Sequence, residues 1–124
     1  GIIPHIMGEV LEESTLSIVP DIRISLLYNN APVSMVDSNW ENPYITRNAT
    51  RGYYHFWPYI NGDSEGIADS VKFTIIFEHP DFEERKIDIE VAVNRKKDMG
   101  KNFHVPLTLL KLKPGKSPEF LCQD

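Results

Sequence analysis

Apolar side chains recur at every second position through most of this sequence, and that period belongs to strands with one buried face. In residues 21–28, Ile22, Ile24, Leu26 and Tyr28 fall on one side, with Arg23 and Ser25 on the other. Val71, Phe73, Ile75 and Phe77 repeat the pattern, and their β-branched and aromatic content suits a pleated surface. Ile87, Ile89, Val91 and Val93 alternate with Asp88, Glu90, Ala92 and Asn94, whereas a helix would scatter those charges around its apolar stripe. Near the start, Ile6, Gly8 and Val10 oppose Met7, Glu9 and Leu11. Near the end, residues 104–113 read as a strand that Pro106 confines to an edge or a bulge, because proline donates nothing to a ladder.

Pro20, Pro32, Pro43, Pro58, Pro80 and Pro114 punctuate the boundaries between these runs. No segment carries a long amphipathic helix pattern. A chain of 124 residues supports one core rather than two. The expected architecture is all-β, with about seven strands in two packed antiparallel sheets forming a sandwich. The expected division is an N-terminal extension at residues 1–5, the domain at 6–113 and a C-terminal tail at 114–124.

Charge and cysteine content exclude several classes of function. The net charge of -5 disfavours a phosphate backbone, and the basic triplet Arg95, Lys96 and Lys97 runs straight into Asp98, so no nucleic-acid partner is expected. No apolar run reaches the roughly 18 residues of a membrane-spanning helix, so none is expected. Cys122 is the single cysteine, so no internal disulfide and no cysteine-rich metal cluster is expected.

Gly62-Asp63-Ser64-Glu65-Gly66 spells the G-x-S-x-G pattern of a nucleophile elbow. That elbow works only where a strand turns sharply into a helix, and too few residues separate Gly66 from the strand at Val71 to form one. The composition is also that of a polar connection between strands, so a loop is expected. His5, His55, His79 and His104 show no three- or four-residue spacing, and neither a metal site nor a cofactor is expected. The acidic clusters fit solvated turns rather than a calcium loop. Asn48-Ala49-Thr50 matches the N-glycosylation acceptor pattern.

The strand containing Tyr53 to Trp57 carries the most distinctive residues. Tyr54 and Phe56 point to one side, and Tyr53, His55 and Trp57 to the other. Outward aromatic groups supply rigid apolar area with a polar tip and make good contact surfaces. Tyr53, His55, Trp57 and Tyr59, joined by Trp40 and Tyr44 from the long loop between Tyr28 and Tyr44, are therefore the candidate binding residues for a protein or glycan. The competing expectation is that this loop folds over the strip and buries it.

Gly8-Glu9-Val10, the strand from Ile22 to Leu26, and Gly52 with Tyr54 and Phe56 after the Thr-containing segment 44–50 together resemble the carboxypeptidase regulatory-like, or transthyretin-like, family of β-sandwich domains. Phe82 in the turn after Pro80 matches the family's later strand pair, and the resemblance covers roughly residues 6 to 112. It implies a non-catalytic interaction or structural module in an exported, extracytoplasmic protein such as a bacterial cell-envelope lipoprotein, with a membrane reached only through a lipid anchor outside this chain. Two alternatives are a carbohydrate-binding module using the surface aromatics, and a transthyretin-like hydrolase in which His5 takes the place of that family's histidine near the first strand. The hydrolases' Tyr-Arg-Gly-Ser ending is absent.

Overall fold

The computed structural model describes residues 4–60, 70–93 and 102–117. Nine strands lie among them: β1 (Ile6–Glu12), β2 (Arg23–Tyr28), β3 (Ala31–Pro32), β4 (Tyr44–Ile45), β5 (Tyr53–Phe56), β6 (Ser70–Glu78), β7 (Arg85–Ala92), β8 (Phe103–His104) and β9 (Thr108–Leu110). No α-helix occurs among the described residues; one 3-10 turn spans Asn48–Thr50. The smaller sheet runs β5-β1-β8, with β9 also on β1; the larger runs β3-β2-β6-β7, with β4 also on β2.

Both sheets turn their apolar face onto one core. Ile6, Val10, Tyr54 and Phe56 from the smaller sheet pack in the same cluster as Ile24, Leu26, Phe73, Ile75, Phe77, Ile89 and Val91 from the larger. The fold is therefore all-β, two-sheeted and sandwich-like, and the alternation of buried and exposed residues in β5 and β6 follows the sequence periodicity residue by residue.

Two features depart from the expected arrangement. The strands number nine rather than about seven, because several are two- or three-residue edge pieces. The sheets are also not purely antiparallel: β8 and β9 both pair with β1 in parallel. A parallel pair needs a long crossover rather than a tight hairpin, and an alternating pattern within one strand carries no record of its partner's direction.

Pro106 does break its strand. Ile6 pairs with Phe103 and Met7 with His104, but Val10 pairs with Thr108, so the C-terminal segment holds one residue more than β1 across this stretch. That is a bulge, the device that accommodates a residue unable to donate to the ladder. Opposite it, Gly8 and Glu9 have no register partner in β8 or β9.

Two glycines are fixed by close approach. A Cβ on Gly8 would lie 2.5 Å from the Tyr54 hydroxyl and 2.7 Å from its ring, so the missing side chain is the space the phenol fills. Gly52 adopts φ +79, and a Cβ there would meet the Val10 carbonyl at 2.6 Å.

Buried polar groups are largely matched. Thr46 Oγ1 accepts from Ile22 N–H (2.9 Å) and donates to the Val19 carbonyl (2.7 Å), tying the segment before β5 to the one leading into β2. Glu12 continues the inward face of β1, and its carboxylate accepts from Ser14 N–H, Ser14 Oγ and Thr15 N–H. Burial works against its charge, but these three bonds outweigh it and hold the carboxyl below its ordinary pKa. The Tyr54 hydroxyl is the exception among the described residues: it is buried with no hydrogen-bond partner.

Candidate functional site

On β1 and β5 the outer face of the smaller sheet is built from odd-numbered residues, since the even ones point into the core. His5, Met7 and Glu9 run along the middle strand, with Trp57, His55 and Tyr53 beside them on β5 and its extension. Register pairs Met7 with His55 and Glu9 with Tyr53, and on the other side pairs Met7 with His104.

Backbone and side-chain bonds bring the long loop over one end of this face. Met35 bridges to Pro58, Val36 N–H donates to the Trp57 carbonyl (3.0 Å), and Tyr59 N–H donates to the Ser34 carbonyl (2.8 Å). Asp37 then forms a side-chain turn, accepting from Asn39 N–H at 2.8 Å, which leads into Trp40. At the loop's far end the Asn42 amide accepts from Leu26 N–H (3.0 Å) and donates to the Leu26 and Val33 carbonyls (2.9 and 2.8 Å). One side chain thus pairs with the edge of β2 between β3 and β4, as a strand would.

Trp40 lands edge-on against three rings: His5 at 4.9 Å, His55 at 4.7 Å and Trp57 at 5.5 Å between centroids. His5 also lies 4.3 Å from Trp57 in a tilted stack, and Tyr44 approaches His55 at 5.9 Å. Such edge-to-face contacts stabilise a cluster beyond its buried area. Of the six residues singled out from sequence, Trp40, Tyr44, His55 and Trp57 come together here. Tyr53 and Tyr59 do not join these ring contacts and remain 55% and 48% exposed. The strip is therefore covered at its Trp57 end and open at its Tyr53 end.

The open end borders a groove of about 440 Å³, lined by Met7, Glu9, Tyr53, His55, His104 and Leu107 among others. Its position follows from the bulge, which interrupts the ladder opposite Gly8 and Glu9. Leu107, carried out by the bulge, is 50% exposed and faces the same groove as Tyr53.

Electrostatics are uneven across the site. Burial lowers the pKa of His55, and the charge of His5 lowers it further, so the neutral imidazole is favoured. Burial also raises the Tyr54 phenol above its ordinary range; neighbouring Thr108 opposes that shift only in part and lies outside hydrogen-bonding geometry.

His5, Met7, Glu9, His104 and Leu107 are not among the candidate binding residues read from the sequence, although His5 figures there as a hydrolase histidine. Its ring contacts are two indoles, not a carboxylate or hydroxyl. The parity of β1 is a usable signal for Met7 and Glu9; the pairing of β8 with β1 is not visible locally. Ser64 and Cys122 lie outside the described residues. Among the described residues no three of His, Cys, Asp and Glu converge as metal ligands, and no helix is long and apolar enough to cross a membrane.

No protein-family model, curated protein or solved structure matches the chain. Fold and site together define a class: a two-sheet, sandwich-like all-β domain whose smaller sheet presents aromatic and imidazole groups on its outer face.

Proposed function

We propose that this domain is a non-catalytic interaction module, binding a protein partner through the outer face of its smaller sheet, within an exported cell-envelope protein. The observation that carries the reading is the pair Tyr53 and Leu107, two large apolar side chains about half exposed on either side of one groove. Exposed aromatic and aliphatic groups flanking a concavity are the usual material of a contact hot spot. The extracytoplasmic setting, and the finer transthyretin-like assignment, rest on the resemblance of Gly8-Glu9-Val10, and of Gly52 with Tyr54 and Phe56, to that family.

A glycan is the second occupant to test. The interplanar angle of 77° between Trp40 and Trp57 offers no flat two-indole platform, which leaves the exposed rings of Tyr53 and Tyr59 for a sugar to stack on, Tyr53 being the one that borders the groove. A photo-crosslinking residue placed at 53 or 107 is expected to capture one protein species in the native cell, and the same residue at 74, on the larger sheet, none. Equal capture from both faces, or retention of glycans that Tyr53→Ala abolishes, overturns the protein-partner reading.

A further inference from the structure

We propose that His55, Met7 and His104 form a binding site for a soft monovalent cation, copper(I). The three residues occupy one row across three strands: Met7 is the register partner of His55 on β5 and of His104 on β8. All three border the same groove.

The row is close-set for a reason that lies in the backbone. Val10 N–H donates to the Gly52 carbonyl, which makes that pair a hydrogen-bonded one. Alternation along an antiparallel ladder then makes Gly8 with Tyr54 hydrogen-bonded and Met7 with His55 a non-hydrogen-bonded pair, where side chains approach most closely. With strands about 4.8 Å apart, the two histidine backbones stand about 10 Å from each other with the thioether midway between them. Both residues are exposed; the His55 ring also meets Trp40 and Tyr44 on one side, whereas the His104 side chain has no hydrogen-bond, ion-pair or ring partner among the described residues.

The donor set selects the ion. Two imidazole nitrogens and a thioether sulfur are neutral ligands, and thioether sulfur favours copper(I) over harder cations. Zinc is ordinarily held by four ligands drawn from thiolate, imidazole and carboxylate. No third histidine, cysteine or carboxylate converges here to complete such a set among the described residues. The site uses the same open face as the proposed partner surface but does not depend on a partner, so the two readings fail separately.

Anaerobic titration of the full chain with copper(I), in competition with the chromophoric chelator bicinchoninate, tests this directly. One equivalent is expected to be retained, and X-ray absorption is expected to report one sulfur and two nitrogen scatterers. Met7→Leu and His104→Gln are each expected to weaken retention by an order of magnitude or more while the thermal melt stays cooperative. Met35→Leu and His79→Gln, which alter groups away from the row, are expected to leave retention unchanged. Failure to retain one equivalent, retention unaffected by His104→Gln, or zinc held as tightly as copper(I) overturns the proposal.

Discussion

The two sheets bury equivalent apolar faces, yet their outer faces are different surfaces. On the larger sheet, charged and hydroxyl groups satisfy one another across strands: Thr74 Oγ1 donates to Asp88 at 2.8 Å, Ser70 Oγ donates to Glu90 at 2.5 Å, and Lys72 sits in register with Glu90. Such pairs are the ordinary stabilising unit of a solvated sheet face. The exposed edge strand β7 adds Lys86, Asp88 and Glu90 facing outward, charges that discourage pairing with another chain. On the smaller sheet, the corresponding positions hold Trp57, His55 and Tyr53 beside His5, Met7 and Glu9, and no cross-strand ion pair joins them among the described residues. Only the Trp57 end is covered, by Trp40. One face is complete in water; the other has contact chemistry to spare.

The strongest challenge to that contrast is a pair of alanine substitutions. Ile75 is fully buried in the central part of the larger sheet, and Ile75→Ala is expected to cost about 2–5 kcal/mol in denaturant unfolding. Tyr53→Ala removes a larger side chain that is 55% exposed, and is expected to stay within about 0.5 kcal/mol of the parent. Comparable losses from the two would make the smaller sheet's outer face structural.

The next effect sharpens the view of what lies beneath that face. Gly8→Ala places a methyl group 2.5 Å from the Tyr54 hydroxyl and 3.0 Å from Val105 Cβ, and is expected to destabilise by about 1–3 kcal/mol through overpacking. Tyr54→Phe should move stability the other way, by about 1 kcal/mol, because it deletes a buried hydroxyl that has no partner. Measured in the Tyr54→Phe background, the Gly8→Ala penalty should shrink without vanishing, since the ring carbon remains 2.7 Å away.

Much of this is legible in the sequence, for a physical reason: period-two alternation reports a strand's buried face whatever its neighbours are. Hence Ile22, Ile24 and Leu26, or Val71, Phe73, Ile75 and Phe77, can be assigned inward from the chain alone, and all are buried. Pro106 announces its bulge because a missing N–H is a local fact. Pairing direction is not local, so the parallel union of β1 with β8 and β9 goes unseen in the chain, and with it the row that joins His55, Met7 and His104 from distant parts of the sequence. The competition between an exposed aromatic strip and a buried one is decided by the Asp37 turn and the Asn42 amide, which carry Trp40 over His5, His55 and Trp57. Nothing in the spacing of Trp40 from β5 encodes that placement.

The smallest expected effect is also the one most specific to the covered end. His55 titrates below the ordinary imidazole value of 6.5 in the folded chain, first because desolvation disfavours its charge and then because His5 repels it. Above 6.5 the group is neutral in both folded and unfolded states, and its full contribution to stability is present. As pH falls below 6.5 the unfolded chain takes up the proton first, so stability declines until pH has passed below the folded pKa. His79, half-buried against Phe82 and also lowered first by desolvation, contributes in the same window. Chemical denaturation between about pH 7.5 and 5 should therefore show a decline that His55→Gln reduces and His55→Gln with His79→Gln reduces further. Trp40→Ala should act like His55→Gln on the pH slope, because removing the indole rehydrates the imidazole without deleting it. A slope indifferent to Trp40 would mean that the loop covers the face without governing its electrostatics, and the difference between covered and open ends would be one of shape alone.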